Sequence, residues 1–60
     1  MTPLTIDAAR VQLARLKATF RGSKDGVQWY WVSAGGYWVG LYVVPGGYAL
    51  KRAERSACNC

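Results

Sequence analysis

The stretch from Val27 to Val44 constrains the fold of this chain more than any other, because aromatic and β-branched residues fill most of it. Such residues favour β-strands. The pair Gly35-Gly36 in its middle can occupy both central positions of a tight hairpin turn, which require positive φ angles. The stretch is therefore predicted to form two antiparallel strands, at about 27–34 and 37–44.

An amphipathic helix is predicted ahead of these strands, at residues 5–21. Thr5 is a suitable N-cap, and Asp7 lies in the first turn, where the helix dipole favours a carboxylate. Gly22 is expected to end the helix in the left-handed conformation. Apolar residues recur at intervals of three and four and form one narrow stripe, which comprises Ile6, Ala9, Leu13, Leu16 and Phe20.

The chain is therefore predicted to be a single α+β domain over residues 1–60, with one N-terminal amphipathic helix packed on a three-stranded antiparallel β-meander in the order αβββ. Asp25-Gly26 is predicted to form the turn after the helix. Pro45-Gly46 suits the central positions of a type II turn, which leads to a shorter third strand at about 47–52. The tail, 53–60, is expected to fray or to form a short helical turn.

The predicted turn at Gly35-Gly36 fixes the register and divides the sheet into two faces. It pairs Ala34 with Tyr37, Val32 with Val39, Tyr30 with Leu41 and Gln28 with Val43. The aliphatic face carries these eight residues together with Tyr48 and Leu50. The opposite face, which we call the Trp face, carries Val27, Trp29, Trp31, Ser33, Trp38, Gly40, Tyr42, Val44, Ala49 and Lys51.

Both faces of the predicted sheet are apolar, whereas a lone antiparallel sheet usually has one apolar and one polar face. One helix of this length covers only one face of three short strands. We expect it to cover the aliphatic face, which leaves the Trp face for a partner. In the alternative arrangement the tryptophans form the core under the helix. A homodimer joined sheet to sheet would cover the second face in either case.

The charge of the chain is basic, with eight Lys and Arg residues against Asp7, Asp25 and Glu54, a net charge of +5. A basic balance favours nucleic acid or an acidic protein surface as a partner, and it also serves solubility alone. The cations of the predicted basic patch form two groups, one along the helix and the turn after it and one at the end of the third strand. They are Arg10, Arg15, Lys17, Arg21, Lys24, Arg52 and Arg55.

The chain contains few of the residue types that usually carry out catalysis. The chain has no histidine, and its three acidic residues are scattered in sequence, whereas general acid–base chemistry needs titratable groups placed together. Cys58 and Cys60 provide two thiols, but a structural zinc site needs four ligands. We therefore expect a protein that is not an enzyme and has no metal or other cofactor.

Neither a secretory signal nor a segment of membrane-spanning length is recognised, so a cytoplasmic location without membrane contact is expected. The predicted contact residues are Trp29, Trp31, Trp38, Tyr42 and Lys51, since Trp, Tyr and cationic residues are frequent in interface hot spots.

In size and lack of catalytic groups, the chain resembles the accessory and inhibitor proteins of phages and mobile elements, anti-CRISPR proteins among them. That resemblance implies a non-catalytic protein that occupies a surface of a protein or nucleoprotein partner. Direct nucleic-acid binding and a structural homo-oligomer are the alternatives.

Overall fold

The computed structural model describes residues 2–56, which form one α-helix and a four-stranded antiparallel sheet. Strands that follow one another in sequence are neighbours in the sheet, in the order β1-β2-β3-β4. The predicted α+β class, with one helix and an antiparallel sheet, is confirmed, whereas the predicted number of three strands is wrong. The elements are α1 Ile6–Arg15, β1 Thr19–Lys24, β2 Val27–Val32, β3 Tyr37–Val44 and β4 Gly47–Ala53.

The helix begins where the sequence predicts. Thr5 is the N-cap, and its side-chain oxygen accepts a hydrogen bond of 3.1 Å from the backbone N–H of Ala8. Asp7 lies in the first turn. The cap therefore satisfies one of the backbone N–H groups that have no carbonyl partner within the helix.

The helix ends earlier than predicted, in a Schellman motif. Lys17 adopts the left-handed conformation, with φ 55°. Its N–H donates to the carbonyl of Ala14, and the N–H of Ala18 donates to the carbonyl of Leu13, both at 3.0 Å. These bonds satisfy carbonyls of the last turn and change the direction of the chain. The predicted helix end at Gly22 is wrong, because that residue lies within β1.

Strand β1 occupies residues that the apolar stripe assigns to the helix. Phe20 continues the stripe in sequence, but in the sheet it pairs with Tyr30, and the two rings meet edge to face at 5.5 Å. The hairpin of β1 and β2 turns at Asp25-Gly26, where both φ angles are positive, 55° and 79°. Positive φ at both central residues is what a type I′ turn requires. The Asp-Gly signal therefore marks a turn between two strands.

The loop between β2 and β3 has four residues, 33–36, so the two-residue turn predicted from the glycine pair is wrong. Within that pair only Gly36 has a positive φ, 68°. As a result Tyr30 pairs with Val39 rather than with Leu41. This shift of two positions leaves each strand residue on its predicted face, because side chains alternate with a period of two.

Strand β4 lies between β3 and the N-terminal segment. It follows a turn in which Gly46 has φ 85°, as the second central residue of a type II turn requires, and Val44 pairs with Gly47 across that turn. Leu4 pairs with Tyr48 through two backbone hydrogen bonds of 2.8 and 2.9 Å. The N-terminal segment therefore covers the beginning of the β4 edge.

The helix packs on the aliphatic face, as predicted. Leu13 forms a buried cluster with Val32 and Val39, and partly buried side chains that pack against this cluster are Ala18, Tyr30, Tyr37 and Leu50. The helix does not cover the whole face, because Phe20 at the β1 edge is 54% exposed and Val43 near the end of β3 is 72% exposed. The Trp face lies on the opposite side of the sheet.

Candidate binding surface

The Trp face combines aromatic side chains on its two central strands with cations on its two outer strands. The pairing of the strands places Trp29 and Trp31 of β2 beside Trp38 and Tyr42 of β3. On β4, Lys51 pairs with Gly40 and therefore lies on the same face. The residues predicted from the sequence as a contact set are thus brought together on one surface.

Trp29 supports this surface from within. Its side chain is only 4% exposed, and its indole ring lies over Gly40: a Cβ at that position would be 3.1 and 3.2 Å from two ring atoms. The ring meets Tyr42 edge to face, with the centroids 6.1 Å apart. The prediction that Trp29 is an exposed contact residue needs correction, because the absence of a side chain at Gly40 lets the ring settle against the sheet.

Trp31 and Trp38 form the accessible aromatic part of the Trp face. They are cross-strand partners, both half-buried, and their rings are 5.2 Å apart with an interplanar angle of 55°. The tilted rings and Arg21 line a shallow depression of about 190 Å³. A guanidinium group beside two indole rings can bind an anionic or a planar group at this depression.

A β-bulge in β1 determines which cations reach the Trp face. Phe20 pairs with Tyr30 and Gly22 with Trp29, so the register shifts at the residue between them, Arg21. After this shift Lys24 pairs with Val27 and lies on the Trp face, whereas regular alternation from Phe20 would place it on the aliphatic face. Bulges commonly redirect side chains in this way.

Lys51 provides a cation on β4, on the side of the aromatic residues opposite to Arg21 and Lys24 of β1. Its Nζ lies 5.2 Å from the centroid of the Tyr42 ring, within the range of a cation–π contact. No Asp or Glu occurs in any of the four strands that the structure describes. The Trp face therefore presents Arg21, Lys24 and Lys51 without a carboxylate from the strands that carry it.

The remaining cations of the predicted basic patch do not join this surface. Arg10 and Arg15 are exposed on α1, and Lys17 is exposed in the Schellman motif. Arg52 pairs with Val39 and stacks over Tyr37 on the aliphatic face, with its guanidinium carbon 4.2 Å from the ring centroid. Arg55 follows the end of β4. The structure thus divides the patch: only Arg21 and Lys24 lie on the Trp face, and of these Arg21 lies beside Trp31 and Trp38.

The sequence contains a signal for the placement of Arg21 and Lys24 that the helix periodicity concealed. Gly22 stands three residues before the Asp25-Gly26 turn, and a glycine inside a strand often marks a bulge. If the residues before the Asp25-Gly26 turn are read as a strand, Arg21 and Lys24 are both predicted to lie in the sheet.

The three acidic residues lie in different parts of the fold within residues 2–56. Asp7 lies in the first helical turn, Asp25 in the β1–β2 turn and Glu54 after β4. No group of three or more His, Cys, Asp or Glu side chains in this part of the chain could hold a metal ion. The predicted role of Cys58 and Cys60 lies outside the described residues.

A second cavity, of about 480 Å³, lies at the beginning of the β4 edge. It is formed where the N-terminal segment pairs with this edge, beside α1 and the β3–β4 turn. This cavity could not be predicted from the sequence, because it depends on the pairing of Leu4 with Tyr48. Its lining residues are Thr2, Pro3, Leu4, Gln12, Val44, Pro45, Tyr48, Ala49 and Leu50.

Within residues 2–56, no helix combines the length and the apolar character needed to cross a membrane. Comparisons of the chain with protein-family models, with curated proteins and with solved structures gave no match.

Proposed function

We propose that this chain is a non-catalytic binding protein that acts in the cytoplasm by occupying a surface of a protein or nucleoprotein partner. The observation that carries the proposal is the juxtaposition of Arg21 with the half-buried Trp31–Trp38 pair. Trp, Tyr and Arg are the residue types most enriched in binding hot spots. An activity based on occupying a surface agrees with the inhibitor proteins of phages and mobile elements that the chain resembles in size and type.

The charge of the Trp face supports an anionic partner. Its cations lie on β1 and β4, the two outer strands, and the strands supply no carboxylate to neutralise them. Complementary charge increases the rate of association and discriminates against partners of the same sign. The same argument opposes a homodimer joined through the Trp face, because two copies would bring the cations of both faces together. We therefore expect light scattering to show a monomer. A dimer that Arg21→Glu or Lys51→Glu dissociates would contradict this expectation, because it would be joined through the Trp face.

The proposal is tested by capture of partners from the native host with the tagged protein, followed by mass spectrometry, with and without nuclease treatment. The decisive variant is Arg21→Glu/Lys51→Glu, which reverses two charges on the Trp face. The matched control is Arg10→Glu/Arg15→Glu, which makes the same change in net charge on the helix.

A partner that is lost with the Trp-face variant and retained with the helix variant supports the proposal. Loss with the helix variant alone would assign binding to the basic helix and overturn the choice of surface. Circular dichroism of both variants verifies that the fold is intact. Both arginines of the control are exposed, as are Arg21 and Lys51, so the substitutions are matched in burial.

A further inference from the structure

We infer that the Trp face binds a segment of single-stranded nucleic acid, with a base against the Arg21–Trp31–Trp38 depression and phosphates near the flanking cations. This inference rests on the proposed function and names the chemistry of the partner. Proteins that bind single strands without sequence preference combine stacking platforms of aromatic side chains with a positively charged track for the backbone.

The arrangement of the sheet supplies both parts. The aromatic residues lie on β2 and β3, while Arg21 and Lys24 lie on β1 and Lys51 on β4. With three strand spacings of about 4.8 Å, the outer strands are roughly 14 Å apart. A strand of nucleic acid laid on the aromatic centre would have its phosphates within reach of long cationic side chains on either side.

The accessible rings of Trp31 and Trp38 favour nucleic acid over an acidic peptide. An acidic peptide would be bound through the cations alone and would not use the two indole rings. Trp31 and Trp38, however, present half-buried rings directly beside one cation, Arg21. Bases have planar faces that stack on indole and on guanidinium groups. A duplex hides these faces within its own stack, which is why the inference is restricted to single strands.

The support beneath the depression also fits a stacking platform. Trp29 is buried over Gly40 and in contact with Tyr42, so the middle of the Trp face is already packed before any ligand binds. Tyr42 is in turn covered by the cation of Lys51. Preorganised rings lose little conformational entropy on binding, which favours affinity.

The test is fluorescence anisotropy with labelled oligonucleotides of roughly 12 nucleotides, a length within the usual site size of small single-strand binders. Oligo(dT) and oligo(rU) distinguish DNA from RNA, a duplex of the same length tests the restriction to single strands, and a polyglutamate peptide represents an acidic protein. Three phosphate contacts predict a log–log salt slope of about −2, hence about a 16-fold loss of affinity for oligo(dT) or oligo(rU) between about 50 and 200 mM salt.

Matched variants locate the interaction. Arg21→Gln should weaken binding and make the salt slope shallower by about 0.7, while Arg15→Gln, which removes the same charge from the helix, should leave both nearly unchanged. Trp31→Leu should reduce affinity by about 5- to 150-fold, and Trp31→Phe, which keeps an aromatic ring, should retain most of it. Should Trp31→Leu unfold, the comparison of the two arginine variants, both at exposed positions, still decides the question.

The inference is overturned if single strands fail to bind at low salt, if the duplex binds as tightly, or if polyglutamate binds best and depends on Arg21. Equal effects of Arg21→Gln and Arg15→Gln would also overturn it. If oligonucleotides fail while a captured partner still depends on Arg21 and Lys51, the proposed function stands and only its nucleic-acid form is wrong. If the capture is also insensitive to both charges, the Trp face is not the binding surface, and if no partner is captured at all, the proposed function itself fails.

Discussion

Replacement of Leu41 by alanine tests whether the aliphatic face beneath the helix provides most of the stability of this domain. Leu41 is 3% exposed and pairs with Leu50 across the β3–β4 ladder. Truncation of a buried leucine costs about 2–5 kcal/mol, because apolar contacts are lost and a cavity remains. A domain of this length has a total stability of roughly 3–9 kcal/mol at the usual value per residue. Leu41→Ala should therefore remove a large fraction of the free energy of unfolding.

The chain offers a matched control two residues further along the same strand. Val43 lies on the same face, but it is 72% exposed, beyond the part that the helix covers. Because its side chain is largely in water already, Val43→Ala should change the free energy of unfolding by no more than about 0.5 kcal/mol. The two variants thus differ in burial far more than in chemistry.

The measurement is urea unfolding followed by circular dichroism, with the midpoint and the m-value fitted separately. A lower midpoint with an unchanged m-value for Leu41→Ala, and an unchanged midpoint for Val43→Ala, is the expected result. Equal losses for the two variants, or a loss below about 1 kcal/mol for Leu41→Ala, would refute the assignment of the core to the aliphatic face. Trp31→Ala adds a contrast, since it should mainly reduce binding.

Three further changes test local features of the fold by the same unfolding measurement. Gly40→Ala should destabilise the protein by about 1–3 kcal/mol, because the new Cβ would lie 2.8 Å from a ring carbon of Tyr42; unchanged stability would mean that the ring moves away freely. Lys17→Gly should be more stable than Lys17→Ala by roughly 1 kcal/mol, because only glycine adopts the left-handed conformation without steric cost, and the reverse order would contradict the Schellman motif. Thr5→Ala should cost about 0.5–2 kcal/mol through loss of the N-cap bond to Ala8, whereas Thr5→Ser, which keeps the hydroxyl, should cost less.

Much of the candidate surface could be predicted, because a wrongly predicted length of the β2–β3 loop does not change which face of the sheet a residue lies on when the register shift is even. The glycine pair suggested a two-residue turn, and the structure has a loop of four residues. The resulting shift moves each pairing by two positions, so Trp31 faces Trp38 rather than Gly40. Side chains nevertheless remain on the predicted face, because they alternate every residue and the shift is even.

The burial of individual residues on that surface could not be predicted. Trp29 and Trp31 are alternate residues of the same strand and are chemically identical, yet only Trp29 is buried. The difference arises from the partner strand, since Trp29 lies opposite Gly40 and Trp31 lies opposite another bulky ring, Trp38. Burial thus depends on which residue of another strand stands opposite, and this depends in turn on the register.

The sequence by itself determined the α+β class, the start of the helix at Thr5 and the separation of the strand residues into an aliphatic face and a Trp face. These features follow from capping chemistry and from the period of apolar residues, which act over a few neighbouring positions. Only the tertiary structure decided that the helix ends before Lys17 and that residues 19–24 form a strand. Phe20 fits a helical stripe as well as a strand, and the hydrogen bonds that β2 supplies to β1 decide between them. The bulge in that strand then places Lys24 on the same face of the sheet as Arg21, so part of the charge of the Trp face results from a pairing between strands.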